Sequence, residues 1–454
     1  MMHRSIVLSV CLISLAACSP EEQAGGDASV WFEGARLVVG DGSPPIEDSS
    51  FLVEDGKFTW VGARDSREPP GSAARVDLNG KTVIPALIDG HSHPGYEDFR
   101  NGTMRSDNFT RELLVEHMQR YAYYGVAANY SMGVDRWDID PELPYTLRGQ
   151  PVSGAALYLT AGRGIAATPN AGPTFDFWLG VPYGATSAAE GRQRVQELAD
   201  RNVSLIKIWV DDRNGTVPKL APEVYRAIIE EADKNDRFVG AHLSRNTALA
   251  DAKELLRAGI HGFVHSVRDR DIDDEFIALL QQRADVWLLP TLPYLPLTFE
   301  ELPLLSESLP PAETQRLRDE IAAREPQREN QQREFFERQC RNLRRVHEET
   351  GTTIGLGTDG RGAAWDVHIQ LASMVRCGLS PAEAIVAATR NTAAILKRDE
   401  LGMVAARKSA DFVVLDANPL EDITNTRRIS EVYLRGERVD RDALRARWTT
   451  APPP

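Results

Sequence analysis

Two histidines with one residue between them end an apolar segment in the first quarter of the chain. The segment Val83-Ile-Pro-Ala-Leu-Ile-Asp-Gly leads directly into His91-Ser-His93. Because alternate side chains of a strand point to the same side, both imidazoles can face one point if this segment is a strand. Neutral imidazoles that converge at a strand end are suitable ligands for a divalent transition metal. A His-x-His pair alone is more often two unrelated histidines, so the metal hypothesis depends on partners further along the chain.

Four further polar residues close apolar segments in a similar way. Each follows a run typical of a buried strand, and barrel enzymes carry their catalytic groups at the carboxyl ends of the strands. We therefore expect all six side chains to meet at one face of the fold. The four residues are Lys207 in Val203-Ser-Leu-Ile-Lys-Ile-Trp-Val, His242 in Phe238-Val-Gly-Ala-His, His265 in Gly262-Phe-Val-His, and Asp359 in Thr353-Ile-Gly-Leu-Gly-Thr-Asp.

Lys207 lies inside an apolar strand, where an ammonium group is costly to bury. One interpretation is a lysine that extends to solvent or pairs with a carboxylate such as Asp211. The other is a carbamate formed with carbon dioxide, which replaces a cation by an anion with two oxygens and suits a bridge between two metal ions. The four strand-end histidines and the aspartate favour the carbamate.

The central part of the chain alternates apolar strands with amphipathic helices. Eight strands, each followed by a helix, favour an α/β fold with a (β/α)₈ TIM barrel over residues 81–397. A doubly wound sheet is the alternative, and the number of strands disfavours it. The strand candidates begin near Val83, Gly125, Pro151, Val203, Arg237, Ile260, Asp285 and Thr353.

Short β-like pieces flank the barrel on both sides. Neither residues 30–80 nor residues 398–440 can form a core alone, so we expect one small β-sandwich domain built from both ends. Residues 292–349 are too long for a single strand-to-helix connection and predict a helical insertion: an active-site lid, an oligomer contact or a solvated helical hairpin. Residues 441–454 are predicted to be a C-terminal tail.

The first residues have the features of a targeting segment. Arg4 precedes an apolar run too short to span a bilayer, and this run ends in Leu15-Ala-Ala-Cys18, which resembles a bacterial lipobox. That resemblance implies a signal peptide over 1–17 and lipid on the sulfur of Cys18. The residues that follow are small, polar and acidic, and this composition predicts a flexible tether over 18–29. We therefore expect the protein to be located in the bacterial cell envelope, where the lipid would anchor it to the outer membrane. A plain secretory signal with a chance cysteine is the alternative.

Composition limits the partners. The 454 residues are 42% hydrophobic and 26% charged, with a formal net charge of −14, which argues against binding to nucleic acid. The expected partner is a small-molecule substrate, the membrane is reached by the lipid anchor only, and homo-oligomer formation stays open. Of the four cysteines, Cys340 and Cys377 lie beyond the targeting segment. One disulfide is compatible with them, but buried thiols are favoured.

The six strand-end residues together resemble the amidohydrolase superfamily of metal-dependent hydrolases. The segment from Val76 to His93 is similar to the family's entry into the barrel, Gly355-Leu-Gly-Thr-Asp359 to its eighth strand, and Leu401–Asp416 to its return to the β domain. Ser204-Leu-Ile-Lys207-Ile resembles the binuclear branch that includes Xaa-Pro dipeptidases (prolidase-like) and ochratoxin-type amidases. Imidazolonepropionase-like proteins share the layout but generally lack this lysine. The chain departs from prolidase-like enzymes mainly in substrate-facing loops.

The resemblance implies a role for each ligand. His91 and His93 would bind one divalent ion, most readily Zn²⁺, His242 and His265 a second, and carboxylated Lys207 would bridge the two. Asp359 would ligate the first ion and take the proton of a metal-bridging hydroxide. The implied reaction is hydrolysis of amide or peptide-like C–N bonds, with N-acyl amino acids or dipeptides as substrates. A lactonase or phosphotriesterase-like esterase with the same metal centre is an alternative, and a non-catalytic scaffold is disfavoured because all six ligands are present.

Three arginines are candidates for binding a substrate carboxylate, since a guanidinium can bind it through two hydrogen bonds. They are Arg163, Arg245 and Arg268, which follow the third, fifth and sixth strands. The remaining histidines fit the site less well. We expect His117 and His347 to face solvent and His261 to lie on a turn away from the catalytic face, whereas His368 is a further candidate for lining the site.

Overall fold

The computed structural model describes residues 29–173 and 175–450. The predicted signal peptide, Cys18, residues 18–28 of the tether and residues 451–454 of the predicted tail lie outside the described residues. No helix within the described ranges is both long enough and apolar enough to cross a membrane.

Strands and helices alternate through the middle of the chain. The strands of the described residues are β1 (Val30–Leu37), β2 (Ile46–Glu54), β3 (Lys57–Ala63), β4 (Ala74–Asp77), β5 (Thr82–Pro85), β6 (Leu87–Ser92), β7 (Glu97–Asp98), β8 (Thr103–Met104), β9 (Val126–Ser131), β10 (Leu157–Thr160), β11 (Ile165–Ala166), β12 (Tyr183–Gly184), β13 (Leu205–Val210), β14 (Phe238–Leu243), β15 (Gly262–Phe263), β16 (Trp287–Leu288), β17 (Thr353–Ile354), β18 (Phe412–Leu415), β19 (Ile429–Leu434) and β20 (Glu437–Arg438). The helices are α1 (Arg111–Tyr123), α2 (Leu143–Leu147), α3 (Ala188–Asp200), α4 (Pro222–Lys234), α5 (Ala248–Arg257), α6 (Asp274–Gln281), α7 (Leu302–Ser306), α8 (Pro311–Ala322), α9 (Pro326–Glu349), α10 (Asp366–Arg376), α11 (Pro381–Val386), α12 (Thr392–Ile395) and α13 (Arg441–Thr449).

Eight parallel strands form the barrel. β6, β9 and β10 pair in that order, as do β13, β14, β15, β16 and β17. The chain continues from β10 into β11, which pairs with β13, and Gly90 of β6 donates to Leu356 beyond β17 at 2.9 Å. The two sheets therefore meet on one side through hydrogen bonds between β6 and the segment after β17, and on the other through the chain that leads from β10 into β11. This is the arrangement of the predicted (β/α)₈ barrel.

Local sequence explains where the outer helices begin. Ser187 and Asp273 accept hydrogen bonds from the first turns of α3 and α6, and proline is the first residue of α4 and α11. Both features favour a helix start. The capping side chains accept hydrogen bonds from free N–H groups of the first turn, and proline has no N–H that would be left without an acceptor. The apolar faces of these helices pack on the strands, which fixes the strand ends in register.

The β domain is built from both ends of the chain, with strand order β20-β19-β18-β5-β1-β2-β3 and β4 added beside β1. Its strands are hydrogen-bonded into one sheet that curves over an aromatic core. The ring of Phe32 on β1 lies 4.9 Å from that of neighbouring Phe51 and only 5.1 Å from that of Tyr433, three strands away. The two ends of this sheet therefore face each other, as the two layers of a sandwich do.

The segment 292–349 contains α7, α8 and α9. α7 packs on the outside of α1, where the hydroxyl of Tyr124 donates to the carbonyl of Leu304 at 2.8 Å. α8 has no buried residue, whereas α9 occupies the place of the helix after the seventh barrel strand and buries Phe336 and Leu343.

Two other features differ from the sequence-based expectations. Cys340 on α9 and Cys377 after α10 are joined in a disulfide, so the prediction of buried free thiols is wrong. The two cysteines are distant in sequence, and only the packing of these helices brings them together. At the C-terminus, residues 441–449 form α13, which buries Trp448 against the guanidinium of Arg120.

Candidate metal centre

The six predicted ligands lie at the carboxyl ends of five barrel strands. His91 is in β6 and His93 follows it, Lys207 is in β13, and His242 is in β14. His265 and Asp359 follow β15 and β17 after short connections. The structure therefore brings together residues that are up to 268 positions apart, and the cause is the parallel arrangement of the strands that carry them.

Three of these residues form a compact group of ligand atoms. Nε2 of His91 and Nε2 of His93 are 3.3 Å apart, and they lie 3.3 and 3.0 Å from Oδ1 of Asp359. His91 donates from Nδ1 to the carbonyl of Val264 at 3.0 Å, which leaves the lone pair of Nε2 facing the group. Burial lowers the pKa of His91 to about 3, so this imidazole is neutral.

The other two histidines face each other beside this group. Nδ1 of His242 lies 2.9 Å from Nε2 of His265. Nε2 of His242 is 3.3 Å from Oδ2 of Asp211, and Nδ1 of His265 contacts the hydroxyl of Thr291. Burial would raise the pKa of Asp211, but the hydrogen bond with His242 holds it well below its ordinary value. Asp211 and Thr291 thus orient the two imidazoles.

Lys207 is only 1% exposed. Among the described residues, its Nζ has no carboxylate within 4.0 Å, because Asp211 lies instead beside His242 and Arg213. Burial lowers the pKa of Lys207 to about 7, so a large share of the amine is uncharged near neutral pH. The alternative interpretation of Lys207, an ion pair with Asp211, is therefore wrong.

The backbone around Asp359 is specialised. Asp359 has φ 56°, in the left-handed region that glycine, asparagine and aspartate adopt more readily than other residues. Its N–H donates to the carbonyl of His91 at 2.7 Å, which holds the first and eighth strands together at the site. A side chain at Gly357 would come within 2.7 Å of Cβ of His91, so the close approach of these strands needs a glycine there.

A cavity of about 260 Å³ opens above the ligands. Its aromatic side consists of Phe175 and Trp178, and the ring of Trp178 lies 4.8 Å from that of His93. The opposite side, beside His242, carries the side chains of Arg213 and Arg245. The cavity thus has an apolar wall and a cationic wall, with the ligand cluster between them.

The donor set suits a divalent metal ion. The ligand atoms of His91, His93 and Asp359 all lie within 4.8 Å of one another, and two neutral imidazoles and a carboxylate are ligands typical of zinc. Nδ1 of His93 is buried and has no hydrogen-bond partner in the described part of the chain.

The sequence model of the amidohydrolase family matches residues 82–439, which include the whole barrel and most of the C-terminal part of the β domain. The chain is an amidohydrolase. Members of this family generally use divalent metals, and this amidohydrolase is a hydrolase of carbon–nitrogen bonds, as the sequence predicted.

Individual relatives agree with this assignment. The chain is 26% identical over 427 residues to ochratoxinase from Aspergillus niger, which covers 85% of this chain and 81% of that protein. A shorter match, 36% over 100 residues, links 21% of the chain to 23% of imidazolonepropionase from Paraburkholderia phymatum. The structure of a Xaa-Pro dipeptidase with methionine bound in its active site has a TM-score of 0.66 at 19% identity, with 90% and 99% of the two chains covered.

Of the three arginines predicted to bind substrate, only Arg245 lines the cavity of this amidohydrolase. Arg163 donates to the carbonyl of Val181 at 2.7 Å and stacks on Tyr183, so it braces the loop after the third strand. Arg268 is 9% exposed and lies behind His242, where it donates to the carbonyl of Leu243 at 2.9 Å. Burial lowers the pKa of Arg268 to about 10.

The sequence analysis missed Arg213, Arg361, Phe175 and Trp178. The two arginines follow the fourth and eighth strands, two residues after Asp211 and Asp359 respectively. Their position at strand ends was a usable signal. The aromatic residues lie in the connection between β11 and β12, where residues Asp176–Trp178 form one turn of 3-10 helix, and the local sequence does not determine the path of this connection.

Two of the remaining histidines differ from expectation. His117 is buried, accepting from the N–H of Gly95 and donating to the carbonyl of Glu97, both at 2.9 Å, so the prediction of a solvent-facing residue is wrong. His368 does not line the cavity; it bonds Tyr124 and Thr426 at 3.0 Å each, on the side of α10 that meets the β domain. His347 is partly exposed and lies 3.4 Å from Glu383, while His261 bonds Asp233 on the opposite face of the barrel.

Proposed function

We propose that this amidohydrolase uses two divalent ions, most readily Zn²⁺, to hydrolyse the amide bond of N-acyl amino acids or dipeptides. The observation that carries the proposal is the pair of facing imidazoles, His242 and His265, beside the His91, His93 and Asp359 group. One ion would be held by that group and the second by the facing pair.

Two imidazoles are fewer ligands than the three that proteins supply to a catalytic zinc ion. The buried amine of Lys207 lines the same cavity as His93, His242 and Asp359, so it is close to members of both groups. A carbamate on Lys207 would be the third protein ligand of the second ion. It would also be a ligand of the first ion. It would also place a negative charge where two dications approach each other.

When bound, the ions would polarise the scissile carbonyl and lower the pKa of water. The residues of the chain would transfer the proton and bind the substrate. Asp359 borders the cavity with 44% of its side chain exposed, so its free oxygen can accept a proton from the attacking water and deliver it to the leaving amine. Phe175 and Trp178 would bind the acyl side of the substrate, and Arg245 would bind the carboxylate on the amine side.

We also propose that the enzyme is a lipid-anchored protein of a bacterial cell envelope, held by Cys18 and facing the periplasm or the surface. The lipobox-like Leu15-Ala-Ala-Cys18 supports this location. The disulfide between Cys340 and Cys377 supports it independently, because such bonds persist in oxidising compartments.

The test combines metal analysis with a substrate panel. Elemental analysis of protein purified without chelator should give close to two divalent ions per chain. The metal-loaded enzyme should hydrolyse members of a panel of N-acyl amino acids and dipeptides. One ion or none would overturn the binuclear site, and turnover confined to lactones or phosphotriesters would overturn the amide substrate.

A further inference from the structure

Positive charge accumulates around His242. The guanidinium groups of Arg213, Arg245 and Arg268 are close enough for their charges to influence one another. Nη2 of Arg268 is 3.1 Å from Nε2 of His242, and Nε of Arg213 is 3.5 Å from Oδ2 of Asp211. Of the carboxylates in the described residues, Asp211 alone lies within 4.0 Å of any of these three arginines.

The single carboxylate does not balance this group. Within 4.0 Å, three guanidinium groups meet one aspartate, which also orients His242. The other carboxylate whose charge reaches Arg268 is Asp359, and it is directed at His91 and His93.

Nε of Arg213 is buried and makes no hydrogen bond with the rest of the described chain. Arg268 is buried and Arg213 partly buried, whereas Arg245 is exposed at the mouth of the group. Cations placed together are destabilising where solvent is restricted and no anion accompanies them. Metal ions bound beside these arginines would add positive charge and so increase the need for an accompanying anion.

The excess charge is confined to one end of the cavity. At the aromatic end, Arg361 is neutralised by Glu97, whose carboxylate accepts from its Nε at 2.7 Å. At the other end, the side chains of Arg213 and Arg245 both line the cavity, while Arg268 lies behind His242. Because a guanidinium pairs with a carboxylate through a planar fork of two hydrogen bonds, two such groups can bind two carboxylates.

We propose that the amine released by the reaction is an acidic amino acid, aspartate or glutamate, whose two carboxylates bind to Arg213 and Arg245. This inference rests on the proposed function, and it fixes the orientation of the substrate, with the acyl group against Phe175 and Trp178. Water is the only co-reactant. The C–N bond breaks, the hydroxyl joins the acyl carbon, and the proton goes to the nitrogen of the leaving amine.

The test compares substrates that differ in one charge. N-benzoyl-L-glutamate and N-benzoyl-L-glutamine have nearly the same shape, so their kcat/KM ratio isolates the second carboxylate. We expect the glutamate compound to be preferred about 10- to 100-fold, the scale of a hydrogen-bonded charge. Arg213→Gln should bring the ratio close to one. Arg245→Gln should instead lower kcat/KM for both compounds and leave their ratio near that of the wild type, because Arg245 binds the carboxylate that both compounds share. Arg192→Gln, the same change at an exposed helix residue paired with Glu230, should leave the ratio as it is.

Calorimetry with the products gives a second readout that does not need turnover. L-glutamate should bind the metal-loaded protein more tightly than L-glutamine, and Arg213→Gln should remove the difference. If the enzyme hydrolyses both benzoyl compounds equally well, the acidic preference is overturned while the proposed amide hydrolysis stands. If it hydrolyses no N-acyl amino acid or dipeptide, the proposed function fails. In that case equal binding of the two amino acids would overturn the anion site as well.

Discussion

Nδ1 of His242 and Nε2 of His265 face each other at 2.9 Å. The other nitrogen of each ring has an oxygen partner, Asp211 for His242 and Thr291 for His265. Because the hydroxyl of Thr291 also lies 3.2 Å from the carbonyl of Val264 and can donate to it, it accepts from His265. In the tautomer in which His242 donates to Asp211, both protons sit on the outer nitrogens and two lone pairs point at the same space. A cation between or beside these lone pairs would relieve their repulsion.

Replacement of Lys207 should separate a bridging carbamate from a buried amine. Lys207→Ala should lose at least one of the two ions, because two dications would then lie close together with less negative charge. Elemental analysis measures the loss directly, and added acetate or propionate should restore part of the metal and of the turnover.

Lys207→Met is the matched control for packing, since it keeps an apolar stem of similar length between Gly133 and Gly164. It should lose metal as the alanine variant does. Retention of two ions with near-normal activity in both variants would contradict the carbamate.

Asp359→Asn should keep much of its metal and lose activity. Asparagine tolerates the φ of 56° at this position, so the backbone should stay in place. Loss of the proton acceptor should lower kcat by about 10²-fold or more, the usual scale for a general acid–base group. Metal content and kcat measured on one preparation test both parts, and activity within a few-fold of the wild type would refute the role of Asp359.

The disulfide should be present in protein exported to an oxidising compartment. Residues 19–454 placed behind a cleavable leader contain only Cys340 and Cys377. The denatured, unreduced protein should give no reaction with a thiol reagent, and reduction should release two thiols. Replacement of both cysteines by alanine should lower the free energy of unfolding by about 2–4 kcal/mol. Two free thiols before reduction would exclude the bond.

Full-length protein expressed in a Gram-negative host should fractionate with membranes. Mass spectrometry should find lipid on Cys18 as the first residue of the mature chain. Cys18→Ser should lack the modification, while its metal content and kcat stay unchanged, because Cys18 precedes the barrel by more than sixty residues. An unmodified mature N-terminus at another residue would disprove the anchor.

The sequence alone predicted the barrel and placed six candidate ligands at the ends of its strands. The period of a strand fixes which side chains share a face, and parallel strands place their ends on one side of the barrel, so His91, Lys207 and Asp359 could be assigned to one site before any distance was known. Local signals of this kind depend only on neighbouring residues.

Only the tertiary structure decided which groups surround those ligands. Arg163 and Arg213 both follow strand ends, yet loop packing turns the first onto the carbonyl of Val181 and the second into the cavity. The pairing of Cys340 with Cys377 and the burial of His117 likewise depend on segments that are distant in sequence. Such contacts follow from the packing of whole elements against one another, a property that no single stretch of residues contains.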